Sequence, residues 1–86
     1  MHEATLLRDL MREIQAVAAR EGATRVVAIH VRLGDLSHLT PEHFEEHFVD
    51  ASRGTLAEGA AVHAVVSLDP AERGSIVLES VEVEEA

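Results

Sequence analysis

The residues best suited to chemistry stand at the start of the chain, Met1-His2-Glu3. A free α-amino group on Met1, the backbone nitrogen of His2 and the His2 imidazole form a nitrogen-rich chelate. The backbone nitrogen or carboxylate of Glu3 can fill a fourth position. Nitrogen and oxygen donors in a plane suit a tetragonal d-electron ion such as Ni(II) or Cu(II). An amine of pKa ~7.7–8.0 and an imidazole of ~6.5 shed their protons within reach of neutral pH, so such a site loads more readily as pH rises. The methionine is expected to stay, because a following residue as large as histidine generally blocks its removal. On spacing alone, a histidine at position 2 is far more often an ordinary chain end than a ligand.

A second group comprises His38, His43 and His47, with Glu42, Glu45 and Glu46 nearby. His43 and His47 are four apart, the helical spacing that lets two imidazoles grip one zinc ion. The stretch reads H-F-E-E-H, however. The metalloprotease motif needs glutamate directly after the first histidine, and here that residue is Phe44. A solvated helix face is the plainer reading. His30 and His63 fall on matching sides of two neighbouring strands and could lie side by side, as ligands or simply as surface. No phosphate loop, dinucleotide fingerprint or nucleophile elbow occurs, and Ser37, Ser67 and Ser80 have no pattern suggesting an activating base. Nothing here reads as an enzyme active site.

These residues need elements to position them. Leu6, Leu7, Leu10, Met11, Ile14, Val17 and Ala18 recur at the spacing of an amphipathic helix, which predicts a helix from Thr5 to Arg20 stopped at Gly22. Residues 24–33 switch to period two, with Val27, Ile29, Val31 and Leu33 on one side and Thr24, Val26, Ala28, His30 and Arg32 on the other. Thr40 is placed to cap a second helix, with Pro41 at its first position. Glu42 suits its positive end. Leu39 can staple onto Phe44, and Phe44, Phe48 and Ala51 form its buried stripe until it runs out near Arg53-Gly54. Thr55–Gly59 reads as a linker. Residues 60–68 form a second strand with Val62, Ala64, Val66 and Leu68 inward. The turn Asp69–Ser75 leads to a third strand, whose alternation slips near Glu79-Ser80 and predicts a β-bulge there.

The order α-β-α-β-β predicts an α+β fold, a small three-stranded mixed sheet with both helices on one face. The first two strands, joined by a helical crossover, should be parallel and right-handed, and the second and third an antiparallel hairpin. Val26, Ala28, His30, His63 and Val65 would line the open sheet face as a contact surface.

Composition narrows the role. Sixteen carboxylates stand against seven basic residues, all arginine, for a net charge of −9. Such a surface repels nucleic acid and anionic lipid, and two phenylalanines are the only aromatic rings of the Phe, Tyr and Trp type, too few for base stacking. A cation or a basic protein partner is favoured. No apolar run approaches the ~20 residues of a bilayer span, and no basic segment precedes an apolar one as in a signal peptide, so a cytoplasmic location is expected. With 86 residues and no cysteine, the chain is expected to form one domain, 1–86, without disulfides or thiolate metal sites.

Several stretches in order resemble one family. Met1-His2-Glu3 before an amphipathic helix, L-G-D-L-S-x-L-x-P-E over 33–42, RGTLAEGA over 53–60 and the closing S-V-E-V-E are similar to the hydrogenase nickel-incorporation accessory proteins, the HypA/HybF-type nickel metallochaperones. The resemblance spans 1–68 and then 75–84. It implies Ni(II) bound by Met1, His2 and Glu3 and passed, with a nickel-inserting GTPase partner, toward the hydrogenase large subunit or urease. A homodimer is also compatible with it. Members carry a zinc-ribbon insertion with two Cys-x-x-Cys pairs between the second and third strands. Here the turn 69–75 stands in its place, so no structural zinc is expected. The rival expectation is an interaction module that keeps the scaffold but no longer transfers metal. A metal-dependent hydrolase built on His43 and His47 is a further alternative.

Overall fold

The computed structural model describes residues 2–35 and 39–85, with side chains in the first helix from Ala4 onward. Helix α1 spans His2–Arg20 and turns its Leu10, Met11, Ile14 and Ala18 stripe into the core. It stops at Gly22, whose φ of +64° suits a residue without a Cβ. Strand β1 follows over Ala23–Gly34. Helix α2 covers Pro41–Ala51 and is capped by Thr40, whose Oγ1 accepts from the His43 N–H at 3.1 Å. Leu39 and Phe44 join the same buried cluster as the staple requires. Strand β2 spans Ala61–Ser67 and β3 spans Ile76–Glu85.

The buried stripe of α2 differs in one position from the sequence pattern. Phe44 and Phe48 are buried, but Ser52 continues the row and Ala51 is exposed. Four-residue steps carry the row to Ser52, one residue past the helix. Its hydroxyl is satisfied by donating to the Val49 carbonyl at 3.2 Å, so its burial leaves no orphan polar group.

The sheet order is β2-β1-β3, with β1 parallel to β2 and antiparallel to β3. The expected hairpin between the second and third strands is therefore wrong. Residues 68–75 form a connection longer than the usual two to five residues of a hairpin loop, and it crosses the end of β1. The reason is burial: β1 is the strand whose residues are most fully buried, and a central position pairs both of its edges. The crossing depends on Gly34. Its N–H donates to the Ser75 carbonyl at 2.8 Å, and a Cβ built there would overlap the Glu72 carbonyl oxygen. Gly34→Ala should cost about 2–3 kcal/mol through overpacking against backbone, read as a lower urea midpoint with unchanged slope.

Two bulges on β1 change which residues face inward. Between Val26 and Ala28 the pairing with β3 slips by one residue, at Val27, and another slip falls at Thr24. Val26 consequently joins Ile29, Val31 and Leu33 in the core, although simple alternation puts it on the open face. The Val26 N–H donates to the Leu56 carbonyl at 2.8 Å. Thus Thr55–Gly59 is no mere linker. It satisfies the irregular stretch of β1 and buries Ala57 in the core. The slip in β3 falls where its alternation breaks: His30 pairs with Ser80 and Val31 with Leu78, leaving Glu79 as the extra residue.

Both helices cover the same sheet face, α1 over β1 and β3 and α2 beside β2. On β2, Val62 and Ala64 pack against the core, but Val66 and Leu68 are exposed. The strand ends at Ser67, so Leu68 leaves the sheet before it can point inward.

Candidate metal centre

The first α1 residue is His2. The leading N–H groups of any helix have no intrahelical acceptor, so the amides of His2 and Glu3 can be given to a metal without breaking a helical bond. Met1, and the side chains of His2 and Glu3, lie outside the described residues. Beside the opening turns, Ala4, Leu7, Arg8, Met11 and, from α2, Ala51 line a shallow and largely apolar depression. It offers packing surface but few donors.

His43 and His47 are exposed on α2, among Glu42, Glu45, Glu46 and Asp50. His38 lies outside the described residues. Among the described residues, no three His, Asp or Glu side chains converge as a metal site. The His43–His47 pair is a two-donor, solvent-facing arrangement on one helix.

His30 and His63 do come together. They pair in register across β1 and β2, and their rings stack with centroids 4.5 Å apart and planes 9° from parallel. Such stacking keeps the ring nitrogens in two separate planes, with lone pairs that do not converge on one ion. The His30 Nε2 is instead 2.7 Å from a Glu82 carboxylate oxygen. Sequence reasoning missed Glu82 because it placed the third strand beside the second. With β3 beside β1, Glu82 becomes a diagonal cross-strand neighbour of His30.

The same misplacement hid the strongest electrostatic feature. Arg32, outward on β1, holds Glu72 of the crossing segment through Nη2 at 2.7 Å and Nε at 3.0 Å, and Glu79 of β3 through Nη1 at 2.9 Å. The fork ties the 68–75 connection to the sheet. Hydrogen bonds from Arg32, then from Ser67, lower the Glu72 carboxyl from an ordinary 4.5 to about 2, and Glu72 in turn raises the Arg32 pKa. A carboxylate with a depressed folded pKa stabilises the fold above its unfolded value and loses that contribution as pH falls. Native protein should therefore melt above Glu72→Gln at pH 7, and the gap should close as pH drops from 4.5 toward 2. A gap independent of pH would mean that the ion pair adds nothing.

A family profile described as hydrogenase/urease nickel incorporation, metallochaperone, hypA matches residues 1–71. The hydrogenase maturation factor HypA of Archaeoglobus fulgidus is 35% identical over 66 residues, 77% of this chain and 60% of that protein. The HypA of Dechloromonas aromatica is 32% identical over 65 residues, 76% of this chain and 58% of its own length. The chain thus spans less than two thirds of the curated relatives it matches. In fold it is similar to the solution structure of the Ni metallochaperone HypA from Helicobacter pylori, with a TM-score of 0.78 at 17% identity over all of both chains.

Proposed function

Because this chain belongs to the HypA family of hydrogenase/urease nickel-incorporation metallochaperones, we propose that it carries Ni(II), taken up at Met1-His2-Glu3 and released for the maturation of a nickel enzyme. The supporting observation is that the family match begins at residue 1 and so includes these three residues. The metal is cargo, bound and handed on, and the chain's task is exchange rather than catalysis.

The chemistry of the donors supports this reading. A bare dication is disfavoured at the positive end of a helix. Deprotonated backbone nitrogens and the Glu3 carboxylate offset its charge, so the bound unit approaches neutrality. Donors from three consecutive residues also leave one side open to solvent, which suits transfer to a second ligand set. A structural zinc of the thiolate type does not fit: the chain has no cysteine, and no three His, Asp or Glu side chains converge among the described residues. The whole chain acts in this reading as one nickel-binding-type domain, with 69–75 in place of the family's insertion.

The partners are a nickel-inserting GTPase and the large subunit of a hydrogenase, or a urease, in the cytoplasm. No described helix is long and apolar enough to cross a membrane. The absence of thiolates at the β2–β3 connection favours one second reading, a scaffold that holds partners without moving metal.

Nickel titration of the untagged, metal-free chain tests the proposal. The expected result is one Ni(II) per chain with the visible absorption of a near-planar site, and affinity that rises with pH as donors lose protons. Absence of uptake at any pH would leave the interaction-module reading.

A further inference from the structure

The two edges of the sheet are finished differently. β3 carries Glu79, Glu82, Glu84 and Glu85 and is bulged at Glu79, the charged and irregular form that keeps an edge from pairing with another chain. β2 forms the opposite edge and pairs with β1 alone among the described strands. Its sequence, AVHAVVS, contains no proline, glycine, Asp, Glu or Arg, so nothing guards its outer backbone groups. Val66 shares the helix side of the strand with the core-packed Val62 and Ala64, yet it is 49% exposed, and Val65 on the open side is 57% exposed.

Helix α2 borders this edge. Its Ala51 faces α1, where it lines a depression with Leu7 and Met11, while Phe44 and Phe48 are buried in the core. At about 100° per residue, Glu45 and Val49 fall on the flank turned away from α1, toward the free side of β2. There Glu42, Glu45, Glu46, Val49 and Asp50 line one shallow depression, and Val49 is half-exposed. Asp50 holds Arg53. Glu42, Glu45 and Glu46 form no ion pair among the described residues.

We infer that β2 is an addition site for an extended segment of a partner protein in which apolar residues alternate with lysine or arginine. Backbone hydrogen bonds along a sheet edge give such a contact its affinity, and alternate side chains give it specificity. On the helix side, a lysine or arginine lays its aliphatic stem over Val66 and Val49 and sets its cation among Glu42, Glu45 and Glu46. On the open side, an apolar residue covers Val65. Charge selects this occupant. On a chain of net charge −9, a second copy at the same edge would set these carboxylates against their own counterparts, and an acidic segment would meet the same repulsion. A basic segment is drawn in instead. The surface shares no residue with Met1-His2-Glu3, so the inference does not rest on the nickel reading. One added strand buries less than the ~1,200 Å² at the low end of stable interfaces, which makes the contact reversible.

Titration of the untagged, metal-free chain with a synthetic peptide of alternating valine and lysine, capped at both ends, tests this. Amide NMR shifts are expected across Ala61–Ser67 and at Glu45 and Val49, with β3 unmoved. Binding should weaken on raising salt, because the paired charges lie within the ~8–10 Å screening length. Glu45→Lys should bind the peptide about tenfold more weakly. Glu45 is exposed, so that variant should keep the native circular dichroism. His2→Ala should bind it as the native chain does. Of two peptides N-methylated on alternate amides in opposite registers, only the one that blocks the strand-facing N–H groups should fail to bind. No binding of the lysine peptide, shifts centred on β3, equal affinity for a glutamate-for-lysine peptide, native affinity in Glu45→Lys, or no difference between the N-methylated registers would each overturn the inference.

Discussion

Untagged protein carrying His2→Ala should take up no Ni(II) at concentrations where the native chain binds one ion. The substitution removes the imidazole and with it the anchor that makes deprotonation of the neighbouring amide favourable. Acetylating the Met1 α-amine should weaken binding sharply as well, because the site then has no free amine and that nitrogen can bind only after losing an amide proton. His43→Ala with His47→Ala should leave the stoichiometry unchanged. The proposal fails if His2→Ala binds as well as native protein, or if binding vanishes only in the double α2 variant. A calorimetric titration separates these cases.

The same experiment has a thermodynamic signature. Donors drawn from three consecutive residues are available in the unfolded chain as well as the folded one. Metal binding stabilises a fold only to the extent that it favours the native state. Saturating Ni(II) should therefore leave the melting temperature nearly unchanged. A site assembled across the tertiary structure would raise it clearly.

Phe48→Ala is expected to be the most damaging substitution for the fold, with a loss of about 3–5 kcal/mol. Phe48 is 1% exposed and its ring lies against that of Phe44, with centroids 6.1 Å apart. At roughly 0.05–0.15 kcal/mol per residue, a domain of 86 residues is stabilised by about 4–13 kcal/mol, so this one side chain is a large share of the total. Urea unfolding by circular dichroism measures it. A loss below ~1 kcal/mol would mean that the cavity collapses and that the ring is not central to the core. Because the proposed nickel donors are local, partly unfolded Phe48→Ala should still bind Ni(II), which separates loss of fold from loss of site.

The sequence alone determined those features whose physics is short-range. Apolar periodicity marked α1, Thr40 and Pro41 marked the start of α2, and the broken alternation at Glu79 marked a bulge, because each signal lies within a few residues of what it specifies. The candidate nickel donors were legible for the same reason, as neighbours in the chain. Tertiary structure alone decided which strand stands beside which. Periodicity says that β3 has an apolar face but nothing about its neighbour. That neighbour follows from burying both edges of β1 and from the room left by Gly34. The pairing of Arg32 with Glu72 and Glu79, the contact of Glu82 with His30 and the inward turn of Val26 all depend on that choice. They join residues some 40 to 60 positions apart, and no local pattern encodes such a separation. The bare edge of β2 belongs to both: its uncharged run is visible in the sequence, but only the sheet order makes it an edge.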